Sequence, residues 1–215
     1  MKDEAAWFAS SNPAKMVHLI TNNPDDQYSD RKLRLFACAC CRLHWEQLLT
    51  DSVMVDAVEM AERFADGLAD ADMLDIANRK ADWNVDDSTI YEDMCVFASS
   101  RGIRPRLQPL LAISRRVGNH TGAQAALLRD IVGNPWQPVR ALTVSPSCLE
   151  AWKRAVRICQ DAYDSRDFST LPIAADALED AGCDQVQVLQ HLRGEYINQV
   201  HTRGCWAVDL VLGKE

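Results

Sequence analysis

Apolar residues recur three and four positions apart along most of this chain, while the strict alternation of a half-buried strand is almost absent. That period predicts an all-α fold, and helix punctuation falls where it is needed. In "SNPAKMVHLITN", Asn12 is placed to cap a helix that begins at Pro13, where a missing N–H costs nothing. The run "DRKLRLFACACCRLHWEQLL" sets Leu33, Ala37, Cys40 or Cys41, His44 and Leu48 on one stripe, predicting one buried central helix from Asp30 onward. "TDSVMVDAVEMAERFADG" repeats the pattern and stops near Gly67; the next stretch begins after Asp70 and restarts after Asp87 or Ser88, as two helices or one bent helix. Pro105 and Pro109 place the next start near Pro109.

Downstream, "HTGAQAALLRDIVGNP" predicts a helix capped by Thr121, with Leu127, Leu128 and Ile131 inward and Gly133 as terminator. "NPWQPVRALTVSPS" reads as a proline-punctuated connection over 134–146, with Trp136 as its expected anchor. Three further helices, over "SPSCLEAWKRAVRICQDAYDSRDF", "LPIAADALEDAG" and "DQVQVLQHLRG", precede a final apolar segment around "CWAVDLVLG". The expected architecture is a single helical domain, residues 1–215, of about nine to eleven helices packed as antiparallel pairs.

Charge changes the picture only locally. A net charge of −8 argues against general nucleic-acid binding, which depends on cations meeting phosphate. Yet no acidic residue lies between Met94 and Arg129, where Arg101, Arg104, Arg106, Arg115 and Arg116 cluster as a candidate site for a protein partner or an anion. Nucleic-acid or anion binding through residues 101–129 is a third reading. No apolar run reaches the roughly 20 residues of a membrane span, and the first residues lack a signal peptide's apolar core, so a cytoplasmic location is expected. Eight cysteines then read as reduced thiols with core roles.

The chain has no phosphate loop, no nucleophile elbow and no H-E-x-x-H, and the leading expectation is a non-enzymatic interaction module that needs no cofactor. The alternative is a small zinc-containing or hydrolytic enzyme. Two thiolates and two imidazoles, from Cys183, His191, His201 and Cys205, would complete a tetrahedral zinc shell. Their spacing matches no standard zinc pattern, and Gly204 interrupts the helical turn that would align His201 with Cys205. Cys40 with His44, four apart on one helical face, is a second thiol–imidazole pair, on an otherwise apolar stripe.

The phrases "DRKLRLFACACCRLHW", "AVEMAERFADG", "ALLRDIVGNPWQPV", "AYDSRDFSTLPIAADALEDAGCD" and "HLRGEYINQVHTRGCWAVDLVLGKE" together resemble an uncharacterised helical family with many paralogues in planctomycete-type bacteria. The resemblance spans nearly the whole chain, the segment from Asn84 to Asn119 being the variable part. It implies a discrete helical domain and assigns no catalytic residue.

Overall fold

A computed structural model describes residues 3–22, 28–85, 90–117, 120–139, 141–143, 145–195 and 199–214. Every regular element among them is helical: thirteen α-helices and three short 3-10 turns. The chain is therefore all-α. Eleven of these helices have seven residues or more, and the two beyond the expected number are the short pieces Glu4–Ala9 and Trp45–Leu48. Among the described residues no helix is long and apolar enough to cross a membrane. Residue contacts divide the chain into two compact units, Met1–Leu128 and Arg129–Glu215.

The first unit contains α1 (Glu4–Ala9), α2 (Pro13–Thr21), α3 (Asp30–Arg42), α4 (Trp45–Leu48), α5 (Ser52–Ala65), α6 (Ala71–Asn84), α7 (Ile90–Ser99), α8 (Leu107–Val117) and most of α9 (Thr121–Val132). Its centre is α3, buried without a break from Leu33 to Cys41 and packed against α5 and α7. The single run expected from Asp30 is two helices. Leu43 donates to the Cys40 carbonyl and His44 to that of Cys41, tightening the last turn of α3 before α4 begins at Trp45. Asn12, Ser29, Asp51 and Asp70 each cap the helix that follows, their side-chain oxygens accepting from first-turn N–H groups. α8 starts at Leu107, two residues before Pro109, because a first-turn proline lacks only an N–H that would have had no helical partner. The start expected at Asp87 or Ser88 lies outside the described residues.

The second unit holds α10 (Leu149–Ser165), α11 (Leu171–Asp180), α12 (Val186–Leu192) and α13 (Trp206–Leu212). α10 packs on α11 and α13, and α12 packs on both α11 and α13. Cys159, Tyr163, Leu171, Leu178, Val188 and Val208 meet in its apolar core. The connection over 134–146 belongs to this unit, and Trp136 is 38% exposed there.

Candidate metal centre

Four side chains of the second unit converge: Asp130, His191, His201 and Cys205 each bring one potential ligand atom, and these atoms all lie within 4.8 Å of one another. Each arrives by a different local rule. Asp130 stands in the last turn of α9, three residues before Gly133, whose φ of +73° ends the helix. His191 lies on the buried face of α12 beside Val188 and Leu192. His201 and Cys205 flank the sequence "TRG", where Cys205 N–H donates to the Thr202 carbonyl at 3.0 Å and Gly204 adopts φ +87°. A positive φ at the third residue of a four-residue turn needs glycine. Gly204 thus does not separate the two ligands: it bends the chain so that residues four apart face one another without a helix. Arg203 holds the turn against α10, its guanidinium over the Tyr163 ring at 4.8 Å and its Nε donating to the Tyr163 carbonyl.

The distances are specific. Asp130 Oδ1 lies 3.0 Å from His191 Nε2 and 3.3 Å from His201 Nδ1. Cys205 Sγ lies 3.2 Å from His191 Nε2 and 3.7 Å from His201 Nδ1. Zinc bonds of about 2.0–2.3 Å in a tetrahedron space their ligand atoms roughly 3.3–3.7 Å apart; the two His201 contacts fall in that range, while the two His191 contacts are tighter and the widest separation, within 4.8 Å, would have to close. Asp130, His191 and Cys205 are buried, and the His201 side chain is 14% exposed.

Asp130 Oδ2 accepts from the Thr202 N–H at 2.9 Å, which leaves Oδ1 to face the centre. Around the ligands, the Trp206 and His191 ring centroids are 5.0 Å apart, and the Gln199 amide donates to the His191 carbonyl and lies 3.1 Å from His201 Nε2. Ligand orientation by such outer contacts is the usual construction of a metal site.

The electrostatics are those of a buried anion and a buried thiol. Burial alone would raise the Asp130 pKa, but hydrogen bonds from His191 and His201 outweigh it and hold the carboxyl below its ordinary value. Burial pushes the Cys205 thiol well up, the Asp130 charge adds to this, and the Val208 and Ala207 amides only partly oppose it. Such a thiol is a poor nucleophile until a cation takes its proton's place.

Three of the four residues named from the sequence, His191, His201 and Cys205, are thus together. Cys183 is not with them; it packs in the apolar core of the unit. Asp130 takes the fourth place, and spacing could not have found it, since it lies 61 residues before His191. The available signal was a carboxylate set among Leu127, Leu128 and Ile131 at a helix end. In the other thiol–imidazole pair, Cys40 is fully buried, and burial pushes its pKa up. Of the arginines, Arg101 pairs with Asp75 and Asp72, Arg104 pairs with Asp30 at 2.8 Å, and Arg106 lies over the Phe97 ring. Arg115 and Arg116 are exposed. Comparison with protein-family models, with curated proteins and with solved structures gives no match, so the resemblance to the planctomycete-type family rests on the quoted phrases alone.

Proposed function

We propose that this chain is a zinc-binding, non-enzymatic helical module whose Arg129–Glu215 unit closes around one ion held by Asp130 Oδ1, His191 Nε2, His201 Nδ1 and Cys205 Sγ. The observation that carries this reading is the set of contacts at 3.0, 3.2, 3.3 and 3.7 Å among four side chains of three donor types, carboxylate, imidazole and thiol. Charge supports it: one carboxylate, one thiolate and a divalent cation sum to zero, so the loaded centre is neutral where an unpaired buried charge would be costly. Mixed imidazole, thiolate and carboxylate donors suit zinc better than calcium or magnesium, which take oxygen. A shell completed by four protein ligands leaves no position for water or substrate, which is the structural rather than the catalytic arrangement.

The work of such a module is binding a protein partner. Within the arginine-rich segment, Arg101 and Arg106 are exposed but engage Asp75, Asp72 and the Phe97 ring, so the exposed Arg115 and Arg116 are the cations on which an acidic partner surface would act.

Elemental analysis of protein purified without chelator tests the metal and should find about one zinc per chain, falling to below about a tenth in Cys205→Ser and in His191→Ala. Cobalt loading should give the intense visible bands of a tetrahedral site and a thiolate charge-transfer band that Cys205→Ser abolishes, while Cys183→Ala keeps both. Wild-type protein without zinc after exposure to an excess of the ion would defeat the proposal.

A further inference from the structure

Gln199 touches two ligand residues at once: its amide nitrogen donates to the backbone carbonyl of His191 and sits 3.1 Å from Nε2 of the His201 ring, the nitrogen opposite the one that faces the centre. The geometry points to Gln199 as the positioning residue that couples zinc loading to the tautomer of His201, a reading that rests on the zinc centre proposed above.

A neutral imidazole carries one proton, on one nitrogen only. With the proton on Nδ1, His201 donates to Asp130 Oδ1 at 3.3 Å and its Nε2 accepts from the Gln199 amide. Zinc at Nδ1 requires that nitrogen's lone pair, so the proton must reside on Nε2. An Nε2–H then faces an NH2 group, donor against donor, unless the amide turns over and presents Oε1. The two ends of an amide have nearly the same shape, so rotation about one bond suffices. Rotation replaces the clash by the donor–acceptor bond that metal-bound histidines usually make to an outer partner. The same rotation sets Oε1 against the His191 carbonyl oxygen at the C-terminal end of α12, acceptor against acceptor, so that contact must open. Zinc occupancy and the hydrogen bonding of the segment after α12 are therefore linked through one side chain.

Two substitutions separate this from a merely structural role. Gln199→Glu keeps an acceptor for the Nε2–H but cannot donate to the His191 carbonyl. Gln199→Leu can do neither. Zinc affinity of the full chain, measured by competition with a chromogenic chelator near pH 8, should fall about 10- to 100-fold in Gln199→Leu and stay within about twofold of wild type, or tighten, in Gln199→Glu. If Gln199→Glu is as weak as Gln199→Leu, donation to the His191 carbonyl is what matters and the inference fails; equal affinities in all three proteins overturn it as well.

Ring 15N shifts of the wild-type chain decide the matter even if a variant does not fold. Zinc should move the His201 proton from Nδ1 to Nε2 and displace the Gln199 side-chain amide resonances, whereas unmoved resonances on a loaded protein overturn the inference. A wild-type chain that takes up no zinc overturns both this inference and the zinc reading, while zinc uptake with an unchanged tautomer overturns only the former.

Discussion

At the scale of single residues, the clearest constraint beside the centre is Gly133. Its φ is +73°, and a Cβ there would sit 3.0 Å from Cγ of Trp206, whose ring also lies against His191. Gly194 has the same φ but open space around it. Alanine at Gly194 should cost about 1–2 kcal/mol of backbone strain. Alanine at Gly133 should cost about 1–3 kcal/mol more, because Trp206 must shift as well. Chemical denaturation followed by tryptophan fluorescence compares the two, and equal losses would show that Trp206 yields freely.

The cysteines make a second test. Cys148 is partly exposed, whereas the other seven are buried, and burial pushes Cys159 up to about 12. Iodoacetamide at neutral pH should label Cys148 well before the rest in the native chain, as read by peptide mass spectrometry.

His44 gives a pH dependence whose sign follows from its burial and from His120, its ring neighbour at 4.7 Å, both of which lower its pKa. The unfolded chain then binds the proton more readily. Stability from this group is complete above the unfolded value of about 6.5 and is lost as pH falls toward the lower folded value. His44→Phe should flatten the urea midpoint over that window.

At the scale of elements, Arg34 shows how far sequence pattern reaches. The helical period marks α3 as buried, and so places a guanidinium inside, but period says nothing of what that charge meets. The structure supplies the partners: Arg34 Nη1 donates to the carbonyls of Ala98 and Ser100, and Nη2 to that of Arg101, so this side chain closes the C-terminal end of α7 across 64 residues of sequence. Arg34→Met should destabilise by about 3–5 kcal/mol, since it leaves buried carbonyls without donors. Arg34→Lys should recover little, because one ammonium cannot span three acceptors.

The centre shows the same limit. His191, His201 and Cys205 are visible in the sequence as metal-binding residue types near one another. Asp130 is not, because what brings α9 to α12 is tertiary contact rather than spacing. Cys183 is equivalent to Cys205 by type and both are buried in the core of the unit; what separates them is the turn at Gly204, which sets Cys205 Sγ against His191 and His201. Likewise the break between α3 and α4 is invisible to a period that continues through it, since it depends on two tightened hydrogen bonds at Leu43 and His44.

At the scale of the whole molecule, the four candidate ligands are spread over a third of the chain, from Asp130 to Cys205, yet all fall within one compact unit. That separates two consequences of metal binding. An ion that binds only the folded state stabilises it by RT ln(1 + [L]/Kd), about 2.7 kcal/mol at a hundredfold excess over Kd. This energy acts where the ligands are. A bound ion would tie the end of α9, the α12 helix and the turn before α13 into one cross-link, and would leave α3 and α5, which carry none of the four candidate ligands, outside it. Hydrogen exchange on the intact chain should therefore show a local effect of chelation. Protection should fall in α12, in α13 and at the Thr202 amide that donates to Asp130 Oδ2. The amides of α3 and α5 should keep theirs. A uniform loss across both units would mean that the ion stabilises the chain as one cooperative body, and no change anywhere would mean that the apolar core around Tyr163 and Leu178 holds the second unit without it.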